Sequence, residues 1–400
     1  MDTTLAPIAE KVHAGERLSA PDGATLLHSR DVWTICQLAD HVRTRLHGKT
    51  TYYNVNRHLN YSNVCALSCK FCSFFRKKGQ DGAYEHTVEH ICESARKAAA
   101  TGATEMHIVG GLHPWLKFEY YTDMLDAIRR AAPKLHLKAF TAVEIVHLAR
   151  ISGRPRDVGG VLADLKQAGL GSLPGGGAEV FDDRVHDEAF KGKIRSDQWI
   201  AVHKAAHEVG LMSNATILYG HIESLHDRVH HLCLLRDAQD QAIKAGHAGR
   251  FQTVIPLPFI PDDSALAHLP GSTGLDDLKM LAVCRLMLDN FAHVKAFWIM
   301  QTLPLSQLSL QCGVDDIDGT VVWYDITKVG ASGTHQEVTV GELRRQVRAA
   351  GFEPVERDTL YRLIVRNGAD WHVEEDGEAD GWRRRQAEKS KPMDPEGVAV

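Results

Sequence analysis

From about residue 50 to residue 300 the chain alternates between short apolar runs and longer stretches of helical period. The short runs end in glycine, proline or polar residues, as buried strands do. They are "TYYNVNRHLNYS" from Thr51, "EMHIVGG" from Glu105, "HLKAFTAVE" from His136, "LGSLPGGG" from Leu170, "MSNATILYG" from Met212, "FQTVIPLPF" from Phe251 and "HVKAFWIM" from His293. Between them lie amphipathic segments such as "TVEHICESARKAAATG" and "SDQWIAVHKAAHEVG". In the second, Ser196 reads as the N-cap and Gly210 as the residue that ends the helix. Strand starts recur roughly every 30–45 residues, one βα unit each, which predicts a parallel sheet with right-handed crossovers. Seven units, with an eighth near "LQCGVDDIDGT", predict an α/β fold of TIM type, a closed or nearly closed (β/α) barrel. A doubly wound open sheet is the competitor, but the G-x-G-x-x-G turn it would carry is missing.

The flanks differ. Residues 1–50 read as two helices, the second carried by "GATLLHSRDVWTICQLADHVRTRLHG". The barrel is expected over 51–325 and a small α/β appendage over 326–367, where "VTVGELRRQVRAAGFEPVERDTLYRLIVR" reads as a helix and one or two strands. From Gly368 to residue 400 charge outweighs apolar content, and a disordered tail is expected. The 400 residues are 44% hydrophobic, enough for a large core, and their net charge of −5 points to no nucleic-acid partner. The start lacks the basic-then-apolar pattern of a signal peptide, and no apolar run approaches the ~18 residues of a membrane span. A cytoplasmic protein with no membrane partner is the expectation.

Eight cysteines do not make a disulfide framework in such a chain. Cys36, Cys92, Cys233, Cys284 and Cys312 are scattered among apolar neighbours and read as buried small side chains. The other three form "CALSCKFC", a C-x3-C-x2-C cluster at Cys65, Cys69 and Cys72. Zinc would take a fourth ligand, for which His58 or His86 is available. A [4Fe–4S] cube on three thiolates would keep one iron open. The loop follows the first strand, at the end where barrel active sites are built. Phe71 lies between the second and third cysteines, where an aromatic ring can shield a cluster.

C-x3-C-x-aromatic-C after a first strand resembles the signature of the radical S-adenosylmethionine (SAM) enzymes. That resemblance implies a [4Fe–4S] cluster, SAM bound at its open iron, and a reduced flavodoxin or ferredoxin as electron donor. It also implies SAM contacts at Gly110 and Gly111 of "IVGGLHPW", with Leu112 in place of the superfamily's acid. Others are implied at Thr216, Leu218, Gly220 and Glu223 of "NATILYGHIES", and at Ile255 or Leu257 of "VIPLPF". Glu144 and Glu179, after the third and fourth strands, are candidates for the ribose hydroxyls or for a radical intermediate, or for plain salt bridges.

More narrowly, "GGLHPWLKFEYYTDML", "LPGGGAEVFDDRVH", "TGLDDLKMLAVCRLMLDN" and "ERDTLY" resemble the aminofutalosine synthase family of menaquinone biosynthesis, over about Thr50 to Tyr361. Dehypoxanthine futalosine cyclase and the deazaflavin-cofactor synthases are its relatives and stay as alternatives. The resemblance implies adenosyl transfer from SAM to 3-[(1-carboxyvinyl)oxy]benzoate, with SAM consumed. Candidates to clamp the carboxylates of that small aryl enol ether are Arg57, His58, Arg76, His113 and His221.

Overall fold

The fold is that of a computed structural model, which describes residues 3–321 and 336–378. Three helices come first: α1 (Ala6–Ala14), α2 (Ala20–His28) and α3 (Val32–His47). The sequence reading expects two. The break comes where the Asp31 carboxylate takes the Thr34 N–H at 3.1 Å and caps a new helix.

The long first run also divides. Thr50–Asn54 is β1 and Asn56–Leu59 is β2, and they belong to different sheets. The barrel continues through α4 (Val88–Ala100), β3 (Glu105–Ile108), α5 (Phe118–Ala131), β4 (His136–Ala139), α6 (Ala142–Ile151) and α7 (Val158–Ala168). Next come β5 (Ser172–Leu173), α8 (Asp183–Ala189), α9 (Ser196–Glu208), β6 (Met212–Tyr219), α10 (Leu225–Lys244), β7 (Phe251–Pro258), α11 (Gly274–Met287) and β8 (His293–Val294). Arg195, not Ser196, stands at the N-cap of α9, and it makes no side-chain cap. Strands β2 to β8 form one parallel sheet in chain order. Two short helices, α12 (Trp298–Gln301) and α13 (Leu303–Ser309), lead to β9 (Asp316–Gly319).

Strand β9 is the expected eighth unit. It meets β8 through a Lys295–Asp316 bridge and pairs with β1 at Tyr52–Asp316 and Asn54–Gly319. Because β1 runs directly into β2, the ring of strand pairing returns to its start. Helices α2 and α3 pack outside against α10 and α11. The core between helices and sheet is filled by fully buried residues such as Leu125, Ile128, Leu162, Leu235 and Leu281.

After the described gap, α14 (Val340–Ala349) leads to β10 (Glu353–Glu356), which adds to β1 in parallel. Then β11 (Arg362–Asn367) and β12 (Asp370–Glu378) form an antiparallel pair. Strand β12 corrects the expectation of disorder from Gly368. Trp371 and Val373 are half-buried while His372 and Glu374 are exposed, so a period-2 pattern survives inside a charged stretch. The expected boundary at 325–326 and the tail beyond residue 378 lie outside the described residues. No helix of the described residues is long and apolar enough to cross a membrane. Of the five scattered cysteines, Cys233 is half-buried and the others are buried.

Candidate active site

The C-terminal ends of the strands open into a cavity of about 280 Å³. Cys65, Cys69 and Cys72 all line it, with Phe71 between them. Their loop is tied down from several sides. Cys65 N–H donates to the Arg76 carbonyl at 3.0 Å, and Arg76 N–H to Asn63 at 2.8 Å. The Lys77 ammonium donates to three successive carbonyls, of Cys65, Ala66 and Leu67, at 3.0, 3.1 and 2.8 Å.

The thiols sit where thiolates can be stabilised. Leu67 and Leu112 N–H each point at the Cys65 sulfur at 3.4 Å, and the Phe74 and Phe75 amides face Cys72. Burial pushes the Cys69 thiol up to about 11, and Cys72 also upward, while the nearby Lys193 ammonium works against both shifts. A metal bound here would displace the thiol protons to solvent, and the same amides and ammonium would offset the thiolates' negative charge.

Two glycines after β3 close one wall. A Cβ on Gly111 would overlap the Val64 carbonyl, and one on Gly110 the Tyr61 ring, so only glycines let this backbone lie against the cysteine loop. Gly110 N–H donates to Glu144 at 3.0 Å. A carboxylate therefore meets this turn although position 112 is leucine. Glu144 also accepts from Tyr61 Oη at 2.8 Å, and from the N–H and hydroxyl of Thr141 at 2.7 and 2.8 Å. Two bonds to each oxygen exhaust its four acceptor sites, so Glu144 braces the wall and has none left for a ribose. Glu179 likewise faces the cavity but is paired with Lys193.

The opposite wall follows strand alternation. Asn214, Thr216 and Leu218 of β6 and Ile255 and Leu257 of β7 face the cavity, and Ala215 and Ile217 pack outward as buried core. The Thr216 hydroxyl donates to the Gly175 carbonyl at 2.7 Å, linking β6 to the glycine turn after β5.

Six of the expected residues lie outside the cavity lining. Arg57 and His58 are neighbours on a strand, so only one can point inward. His58 does, and Arg57 bonds the Asn56 carbonyl, Thr320 and Thr101 instead. Arg76 is spent on the Ser73 and Phe75 carbonyls. His113 is held by Glu85 at 2.7 Å and by the Trp115 and Leu116 amides. Gly220, His221 and Glu223 form a self-contained turn, in which Glu223 accepts from the two preceding amides and from Arg228. His221 is further tied to the Leu218 carbonyl at 3.0 Å.

Comparison with known proteins agrees with this geometry. The family model described as "Radical SAM superfamily" matches residues 59–235, and "CofH/MqnC C-terminal region" matches 248–367. Aminodeoxyfutalosine synthase of Thermus thermophilus is 43% identical over 368 residues, covering 91% of this chain and 96% of that protein. The chain belongs to the aminodeoxyfutalosine synthase family of radical SAM enzymes. The family's second similar member, from Streptomyces coelicolor, is 42% identical over 89% of this chain and 93% of its own length. The 5-amino-6-(D-ribitylamino)uracil–L-tyrosine 4-hydroxyphenyl transferase of Archaeoglobus fulgidus is 36% identical, over 82% of this chain and 93% of that one. Among solved structures, methylornithine synthase (PylB) superposes with a TM-score of 0.68 at 17% identity, covering 86% of this chain and 96% of its own. This likeness shows the shared fold. The cofactors of a radical SAM enzyme are a [4Fe–4S] cluster and SAM.

The sequence reading missed the cavity floor. His107, Lys138, Lys295 and Asp318 line it beside His58. The signal was present in "EMHIV" and "HLKAF", whose strands place a histidine and a lysine among apolar residues on the inward face.

Proposed function

We propose that Cys65, Cys69 and Cys72 hold the [4Fe–4S] cluster and that the enzyme joins the adenosyl group of SAM to 3-[(1-carboxyvinyl)oxy]benzoate, for menaquinone biosynthesis. The observation that carries this is the near full-length match to aminodeoxyfutalosine synthases in a chain whose three thiols share one cavity. When bound and reduced, the cluster supplies the electron that cleaves the C5′–S bond of SAM. A reduced flavodoxin or ferredoxin would supply that electron, and oxidation of the last radical would return it to the cluster. In sum, the C5′–S bond breaks, C5′ bonds the terminal CH2 of the vinyl group, and the aryl group shifts from the ether oxygen to the adjacent carbon. The carboxyl carbon leaves as bicarbonate, with one water taken up and one proton released. Methionine and 6-amino-6-deoxyfutalosine are the other products, and the sum is redox-neutral.

The chain's own part is positioning and shielding. The Gly110–Gly111 backbone, lying against Cys65, receives the methionine end of SAM. Thr216, Leu218 and Ile255 form the wall for its nucleoside, and Phe71 screens the cluster. Phe71 stands edge-on to Phe190, and the Lys193 ammonium lies 5.1 Å from its ring centroid, so screen and charge are held together. Glu144 and Glu179 act as braces behind these contacts. The test is anaerobic reconstitution with iron and sulfide, followed by SAM, reductant and the enol ether. The adduct mass of 6-amino-6-deoxyfutalosine is expected. Turnover of dehypoxanthine futalosine instead would move the chain to the cyclase.

A further inference from the structure

Barrel interiors are packed mostly with branched apolar side chains. Here one inward row is polar. His58, His107 and Lys138 stand in register across β2, β3 and β4, and all three face the cavity. Lys295 and Asp318 add charge from the β8–β9 side. Lys138 pairs with Glu105 at 2.5 Å and Lys295 with Asp318 at 2.9 Å, with the lysine side chains only 5% and 2% exposed. Buried ion pairs of this kind contribute little net stability, because desolvation offsets the attraction. The cluster is also incomplete. The Nε2 of His107 is shielded from solvent with no hydrogen-bond partner. Each ammonium has three N–H groups, and its carboxylate takes one.

We propose that this floor is the seat of the substrate's ring carboxylate, with Lys138, Lys295 and His107 as its donors. The inference deepens the functional reading above and rests on it. The direction of the cavity decides which carboxylate goes where. The cysteines lie beyond the C-terminal end of β2, and the polar row lies deeper, within the strands. The vinyl group must stay near the cluster end, where C5′ is generated. The enol carboxylate is bonded to the inner, oxygen-bearing carbon of that vinyl group and leaves as bicarbonate, so it stays there too. Only the ring carboxylate is far enough from the vinyl carbon to reach the floor. Between the two ends the walls are apolar, with Val109, Leu257 and Phe297 suited to a benzene ring.

The test compares 3-[(1-carboxyvinyl)oxy]benzoate with 2-phenoxyacrylate, the same molecule without its ring carboxylate. In the wild type, kcat/KM for 2-phenoxyacrylate is expected to fall on the order of 10²–10⁴-fold, since its floor donors are left unpaired. Paired variants, Lys138→Met with Glu105→Gln and Lys295→Met with Asp318→Asn, remove each ion pair without stranding a charge. Variants that load iron as the wild type does should bind the benzoate, by calorimetry, roughly 100-fold more weakly, the scale of a lost buried charge pair. They should also lose most of the preference between the two compounds. Equal use of both compounds by the wild type overturns the inference, as do iron-loaded variants that keep wild-type affinity and preference. If the variants fail to load iron, the wild-type comparison decides alone. A wild type that cleaves SAM but makes no adduct with the benzoate overturns the functional reading, and this inference with it.

Discussion

Replacing Glu144 by glutamine tests the wall of the cavity at its most constrained point. Each carboxylate oxygen accepts two bonds. One takes Gly110 N–H at 3.0 Å and the Tyr61 hydroxyl at 2.8 Å, and the other takes the N–H and hydroxyl of Thr141 at 2.7 and 2.8 Å. An amide turns one oxygen into a donor. The hydroxyls of Tyr61 and Thr141 can rotate and accept, but a backbone N–H cannot. Whichever way the amide is set, one buried N–H, of Gly110 or of Thr141, loses its acceptor. That costs about 1–3 kcal/mol, and the three remaining bonds lose their charge assistance. A total of about 2–4 kcal/mol is expected for Glu144→Gln, read as a lower urea midpoint of the reduced, anaerobic protein at unchanged slope. Burial raises the Glu144 carboxyl above its usual range, against the pull of its donors. A protonated carboxyl would give up one of its four acceptor sites and the charge assistance of the rest, so the four bonds favour the ionised form. Wild-type stability in Glu144→Gln would refute this, because it would mean that the native side chain is already neutral.

Other outcomes follow from the same geometry. Reconstituted protein should bind about four irons per chain, and Cys65→Ala, Cys69→Ala or Cys72→Ala should each abolish this while Cys284→Ala does not; stoichiometric zinc without iron uptake would contradict it. Lys77→Met removes three contacts to the cysteine-loop carbonyls and should speed iron loss to a chelator roughly tenfold, a cost of about 1–2 kcal/mol. An unchanged rate would show that the loop holds without it. Burial holds His231 and His207 down at about 3, well below an unfolded histidine near ~6.5. Between those values the unfolded chain binds the extra protons, so their contribution is intact above pH ~6.5 and is lost as pH falls. Each should cost roughly 1.4 kcal/mol per pH unit, and a urea midpoint flat from pH 7 to pH 5 would refute it.

What was legible in the sequence was what is local. The strand runs, the eighth strand at "DIDG" and the cysteine loop were all readable from period and spacing. Glu179 faces the cavity, but its carboxylate is paired with Lys193, so the salt-bridge alternative rather than the expected ribose contact is the arrangement found. Arg57 was misplaced because neighbouring strand residues face opposite ways, and choosing between it and His58 requires the register. Arg76, His113 and His221 are cationic or polar groups near the right loops, but each is consumed by carbonyls, amides or a carboxylate that only the folded chain brings to it. The floor went unseen for the converse reason. His58, His107 and Lys138 lie 49 and then 31 residues apart in sequence, and only parallel pairing puts them in one row. The strand at Asp370–Glu378 was hidden because its charge outweighs a weak alternation that matters only beside β11.

The central claim is that the adenosyl group ends in the product. Reconstituted enzyme with adenine-labelled SAM, reductant and saturating 3-[(1-carboxyvinyl)oxy]benzoate measures this directly by mass spectrometry. Label is expected in a futalosine-type adduct, with one SAM consumed per adduct and little free 5′-deoxyadenosine. Label recovered only as 5′-deoxyadenosine, with none in an adduct, would contradict it.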